Sequence, residues 1–201
     1  AESIENWKRV AIAGGMLDTF LDESPDRDEA VRLYKAGTAY VSGHGEMPER
    51  PEWADPLLEP AIILMHNAVR RLPDDRQTTL LNAADVIADI SVAKASASNV
   101  SEYKRLLRAE GKLSGLLVSE SASQQLYEDP RYEQFALWVM NLMEAATMAD
   151  SAIDLRQDFT EQLTAVKPSA LNAVRIAMGG VKATRFIWPI ALSQLRAMLH
   201  R

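Results

Sequence analysis

The thirteen aspartates of this 201-residue chain are unevenly spaced. Random placement would give fewer than one Asp-x-x-x-Asp pair, yet five are present: Asp18/Asp22, Asp22/Asp26, Asp85/Asp89, Asp150/Asp154 and Asp154/Asp158. Residues four apart share a helix face, so each pair sets two like charges side by side. Such a pair costs an isolated helix roughly 0.2–0.5 kcal/mol. Asp22/Asp26 escapes because Pro25 breaks the turn between them. The other four pairs call for a compensating cation.

Where the pairs fall narrows the chemistry. Asp18-Thr-Phe-Leu-Asp22-Glu23 closes one apolar helical stretch, and Asp150-Ser-Ala-Ile-Asp154-Leu-Arg-Gln-Asp158 closes another. A helix C-terminus carries the negative end of the macrodipole, so both placements are unfavourable for anions. They make chemical sense where carboxylates from two helices face a cavity and bind Mg²⁺ while leaving coordination positions for a phosphate. The alternative is two solvated acidic helix ends. With no cysteine, thiolate zinc sites, Fe–S clusters and cysteine nucleophiles are excluded. His44, His66 and His200 are too scattered for a histidine site. Any metal must therefore be held by carboxylates, which favours a hard ion such as Mg²⁺. A net charge of -6 and a pI near 5.2 argue against nucleic-acid binding, which needs a basic surface.

The elements that must position these residues read as helices. Apolar residues recur at i, i+3, i+4 and i+7, strand-like alternation is scarce, and 47% hydrophobic residues suffice for a core. The pattern predicts a helix over Ile4–Leu21 with Trp7, Val10, Ala11, Leu17 and Leu21 inward. A second spans Arg27–Val41, introduced by Ser24-Pro25-Asp26, and a long loop follows over Ser42–Ala54. Asp55-Pro56 reads as a cap and first-turn proline for a helix to Leu72, and Asp75–Ser98 as a helix rich in small residues. Asn99 or Ser101 caps a helix to Tyr127. Asp129-Pro130 opens another over Arg131–Asp158, with Phe135, Trp138, Val139, Leu142 and Met143 inward. Pro168 starts the last helical region, with a break or kink expected at Gly179-Gly180 and again at Pro189. The prediction is an all-α, single-domain helical bundle over residues 1–201. Ala1–Arg9 has no apolar leader and no run approaches the ~18–20 residues of a membrane span, so a cytoplasmic protein is expected.

At this point the chain resembles the class I isoprenoid synthases, in which two aspartate motifs bind Mg²⁺ ions that grip an allylic diphosphate. The 132 residues from Asp18 to Asp150 are closest to the squalene/phytoene synthase branch. That branch carries a tyrosine and an Ala/Gly-rich helical stretch between its motifs, a place that Tyr103 and Ala109-x-Gly111-x-x-x-Gly115 occupy here. Thr147-Met-Ala-Asp150 leading into Asp154 is also similar to the moenomycin-type prenyltransferase. The resemblance implies a bundle around a central cavity, with further helices upstream of the first motif that the seventeen residues before Asp18 would not supply.

It implies a function as well: a Mg²⁺-dependent prenyltransferase or terpene/squalene-type synthase acting on a prenyl diphosphate of the farnesyl or geranylgeranyl class. Such a reaction needs metal ions, cations for the leaving diphosphate and a dry apolar cavity. Asp18, Asp22, Asp150 and Asp154 are then the metal ligands, joined by Asp158 if the second motif is read one turn later. Lys94 and Arg156 are the diphosphate contacts, with Arg175, Lys182 and Arg185 as alternatives. Tyr103 would assist proton transfer or steer the cation. Asp85 and Asp89, mid-helix among small residues, are cavity-lining candidates or members of salt bridges. Methionines such as Met140, Met143, Met148 and Met178 serve as core or as prenyl-pocket wall. A homodimer fits the class. The competing reading is a non-catalytic helical interaction protein whose acidic helix ends meet a basic partner. A carboxylate di-metal centre is disfavoured because no Glu-x-x-His pattern is present.

Overall fold

A computed structural model describes residues 2–49, 51 and 56–185. Among them are nine helices and no strand: α1 Glu2–Glu23, α2 Arg27–Val41, α3 Leu58–Val69, α4 Asp74–Ser96, α5 Val100–Glu120, α6 Gln124–Tyr127, α7 Tyr132–Ile153, α8 Leu155–Thr160 and α9 Ala170–Thr184. The all-α class follows. None of the described helices is long and apolar enough to cross a membrane. The chain divides into two compact units, residues 1–93 with 116–132, and residues 94–115 with 133–201.

In the first unit, α1, α2 and α3 pack on one another. Val10, Ala13, Leu17, Phe20 and Leu21 of α1 are buried, as are Leu33 and Tyr34 of α2 and Leu58, Ile62 and Met65 of α3. Ala11, expected inward, is exposed, because the buried positions of α1 follow the 10-13-17-20-21 stripe and Ala11 lies off it. Asp26 caps α2, its side chain accepting from the Glu29 N–H at 3.0 Å. Gly37 lets α2 approach α3: a Cβ there would stand 2.6 Å from Ile62 Cδ1. Pro56 lies in the turn before α3 rather than at its first position. Asp55, the expected cap, lies outside the described residues.

Residues 116–132 are tied to α4 by one buried cation. Arg76 is 2% exposed; its Nε meets Glu120 Oε2 at 3.3 Å and its Nη2 donates to the carbonyls of Glu120 and Ala122, the latter at 2.8 Å. Its guanidinium also lies 4.4 Å from the ring centre of Tyr127. The helix expected to reach Tyr127 stops at Glu120. Ser121 and Ala122 turn the chain, and Ser123 caps the short α6 by accepting from the Leu126 N–H.

The second unit has its own core of Ala97, Tyr103, Leu107, Met148, Leu155, Val166 and Ile176. Asn99 is the cap of α5, accepting from the Glu102 N–H at 3.0 Å while Glu102 accepts from the Ser98 N–H at 3.2 Å. Gly111 brings α5 against α7 backbone to backbone. A Cβ at Gly111 would meet Glu144 Cα at 2.5 Å and Met143 O at 2.9 Å, so no side chain fits without moving a helix. Leu142 of α7 is 40% exposed rather than inward. The helix expected over Arg131–Asp158 breaks at Asp154, where the backbone (φ -91°, ψ 3°) restarts as α8. Ser169 caps α9, which runs unbroken through Gly179-Gly180. Those glycines were expected to break or kink the helix; they do not break it but seat it, since a Cβ at Gly179 would stand 2.6 Å from Met148 Sδ. Pro189 lies outside the described residues.

Candidate functional site

The sequence-derived candidates fall into two sets, one in each unit. In the first unit Asp18 is exposed and Asp22 half-buried in the last two turns of α1, and Asp22 pairs with Arg27 at 3.7 Å. Asp85 and Asp89 of α4 face α2. Thr38 Oγ1 donates to Asp85 Oδ1 at 2.5 Å and Lys35 Nζ to Asp89 Oδ1 at 2.6 Å. Burial first, and then the charges of Asp85 and Asp18, push the Tyr34 hydroxyl well above its ordinary ionisation range. Asp18 and Asp85 thus bear on one phenol. Asp85 also lines a cleft of about 470 Å³ with Thr38, His44, Gln77 and Asn82. Asp89 is not among its walls.

In the second unit four elements converge on Tyr103. The ring is buried at the start of α5, and its hydroxyl donates to Asp158 Oδ2 at 3.3 Å and also hydrogen-bonds Ser151. Asp154 N–H donates to the Asp150 carbonyl at 2.9 Å, and Asp158 N–H to the Asp154 carbonyl at 2.9 Å. These bonds keep the three aspartates on one side across the α7–α8 junction. Burial, followed by the charges of Asp154 and Asp150, raises the Asp158 carboxyl above the usual carboxylate range, against the pull of the Tyr103 hydrogen bond and of Lys94. Asp154 occupies the cap position of α8, but its carboxylate makes no cap hydrogen bond. Asp154 and Asp158 therefore flank the start of α8 rather than the end of a long helix, which corrects the expected dipole argument for them.

Lys94, at the end of α4, is engaged: its Nζ lies 2.6 Å from Glu110 Oε1, and both side chains are largely buried. Arg156 is exposed on α8. Glu110 and Ser151 were not among the residues expected at this site. Helical spacing does place Glu110 two turns beyond Tyr103 on the same face of α5, a signal that could have marked it.

Among the described residues, no three His, Asp or Glu side chains stand gathered about one point as a metal would hold them. The donor chemistry of the second set nevertheless suits Mg²⁺. It offers only oxygen ligands, and burial, with the charges of Asp154 and Asp150 adding to it, keeps Asp158 raised despite Tyr103 and Lys94. Compared with known proteins, the chain matches no family model, no curated protein and no solved structure.

The buried phenols carry a pH prediction. Burial, with a neighbouring carboxylate second, pushes Tyr103 up to about 12, through Asp158, and Tyr132 up to about 12, through Glu120. In the unfolded chain these groups ionise near pH 10. Between those values the folded state holds protons that the unfolded state has lost, so stability falls as pH rises from about 10 to 12. Ultraviolet titration is expected to show Tyr34, Tyr103 and Tyr132 ionising late, together with loss of helical circular dichroism. All five tyrosines of the chain ionising near pH 10 with the helices intact would contradict this burial.

Proposed function

We propose that this chain is a Mg²⁺-dependent enzyme that ionises an allylic prenyl diphosphate, as a prenyltransferase or a terpene/squalene-type synthase. The observation that supports it is the meeting, within one unit, of Tyr103, Asp158, Asp154, Asp150 and the charge of Lys94. Residues singled out separately as ligands, catalytic tyrosine and diphosphate contact thus bear on one another. Bound Mg²⁺ would supply Lewis-acid neutralisation of the departing diphosphate. Asp150, Asp154 and Asp158 would hold it here, with Asp18 and Asp22 as the second ligand set implied by the resemblance.

The chain's own residues have distinct parts in this reading. Tyr103 keeps its proton at neutral pH, so it does not serve as a base; it positions Asp158 by donating to it. Lys94 lends positive charge to the carboxylates while anchored by Glu110. Arg156, exposed between Asp154 and Asp158 in sequence, is the cation offered to the diphosphate.

Two ion pairs favour the rival reading of a non-catalytic interaction protein. Arg27 already compensates Asp22, and Glu110 already compensates Lys94. Thermal denaturation with Mg²⁺ plus inorganic pyrophosphate separates the two. A ligand that binds only the folded chain at a hundredfold excess over its Kd adds about 2.7 kcal/mol. For a chain of this length that is a rise of about 5–10 °C in Tm. Asp150→Ala and Asp18→Ala are each expected to abolish the rise. A wild-type Tm unmoved by millimolar Mg²⁺ and pyrophosphate overturns the enzyme reading.

A further inference from the structure

The charge of this chain is divided along its length. Residues 162–201 contain six Lys or Arg and no Asp or Glu, whereas residues 1–161 contain sixteen basic and twenty-eight acidic residues, a net of -12. Within the basic segment, α9 presents an apolar row to solvent. Leu171, Val174, Met178 and Val181 are 59%, 57%, 51% and 53% exposed, and their 3-4-3 spacing puts them on one face. The opposite face holds Ile176, Gly179, Gly180 and Ala183, all buried, with Gly179 and Gly180 against Met148 and Ala145 of α7. The row is therefore the outward side of a helix whose inward side is already packed.

One edge of that row is cationic. Arg175 and Lys182 of α9 are exposed beside it, and Lys104 of α5 reaches across, with Cε 3.2 Å from where a Gly179 Cβ would stand. Burial and the crowding charges of Lys182, Arg108 and Arg175 lower the Lys104 ammonium below its ordinary range. Arg108 is offset by Glu144 at 2.7 Å, but among the described residues no carboxylate pairs with Lys104, Arg175 or Lys182. A crowd of like charges held together without a counter-ion is complementary to a dense negative surface.

We propose that the outward face of α9 docks on an anionic lipid surface, the apolar row entering the headgroup boundary while Lys104, Arg175 and Lys182 meet lipid phosphates. Two features favour lipid over a protein helix. A pairing seam between helices carries charges of both signs at its flanks to fix partner and register, whereas α9 has only one sign. For a second copy of this chain, those same flanks would place like charges opposite one another. An exposed apolar row with a basic edge and no acid is the pattern of a helix lying in a membrane interface. This inference stands apart from the aspartates and survives the failure of the enzyme reading.

The test is co-sedimentation of the full chain with vesicles of phosphatidylcholine alone and of phosphatidylcholine mixed with phosphatidylglycerol. Binding at least ~10-fold tighter to the anionic vesicles is expected, weakening as salt shortens the screening length. The double variants Val174→Gln/Met178→Gln and Arg175→Glu/Lys182→Glu should each weaken it ~10-fold or more. These side chains are exposed, so circular dichroism should be unchanged; if the Glu pair fails to fold, the Gln pair decides. Three results overturn the proposal: no vesicle binding by the wild type, equal binding to both vesicle types, or Gln-pair binding like wild type, which would place the lipid contact elsewhere, as in residues 186–201. Concentration-dependent dimerisation lost in the Gln pair, without vesicle binding, would assign the face to a second copy.

Discussion

Asp158→Asn is expected to raise the Tm of the ligand-free protein at pH 7 and to shrink its response to Mg²⁺ with pyrophosphate. The two effects have one cause. Burial and the charges of Asp154 and Asp150 make ionised Asp158 less favourable in the folded chain than in the unfolded one. Above both ionisation ranges that charge costs stability, and the cost is relieved as pH falls through the folded value toward the unfolded one, near 3.9. Asparagine removes the charge but still accepts from the Tyr103 hydroxyl, so the local hydrogen bond survives. The stabilisation should therefore be present at pH 7 and vanish below about pH 4. A residue serving only to pair Lys94 would behave oppositely, and Asp158→Asn would then lower Tm. Melting curves of variant and wild type at both pH values, with and without the ligands, decide it.

Arg76→Ala is expected to cost about 3–5 kcal/mol, the range for breaking a buried pair by removing one partner. The loss would leave Glu120, 13% exposed at its side chain, without its counter-charge and two carbonyls without their donor. Tyr127 would also lose the cation over its ring. Arg76→Lys should recover only part, because an ammonium cannot reproduce the planar fork that reaches carboxylate and carbonyls together. Urea denaturation followed by circular dichroism measures both. An alanine variant within 1 kcal/mol of wild type would mean that residues 116–132 are held by their apolar contacts alone.

Local signals in the sequence carried much of the fold and little of its long-range chemistry. Asp26 after Pro25 marked the start of α2, whose limits are those the periodicity predicts, because a cap and a breaker act within one turn. The breaks at Ser121–Ser123 and Asp154 were hidden, since no proline or glycine stands there and apolar periodicity continues through both. Gly179-Gly180 misled in the other direction. Their intrinsic cost to a helix is local, while the gain from seating α9 on Met148 comes from a residue 31 positions before Gly179. Asp150, Asp154 and Asp158 were visible from spacing alone, whereas Tyr103 entered through a resemblance, and its bond to Asp158 spans 55 residues. Arg76 gave no signal, since an arginine near a helix start is ordinary until its partner 44 residues on is known.

The most direct measurement is release of inorganic pyrophosphate from farnesyl and geranylgeranyl diphosphate, followed as Mg²⁺ is added to the purified chain. The proposed function predicts Mg²⁺-dependent release from at least one of them, lost in Asp150→Ala while its circular dichroism matches wild type. No release from either diphosphate at millimolar Mg²⁺, or release undiminished in Asp150→Ala, would contradict it.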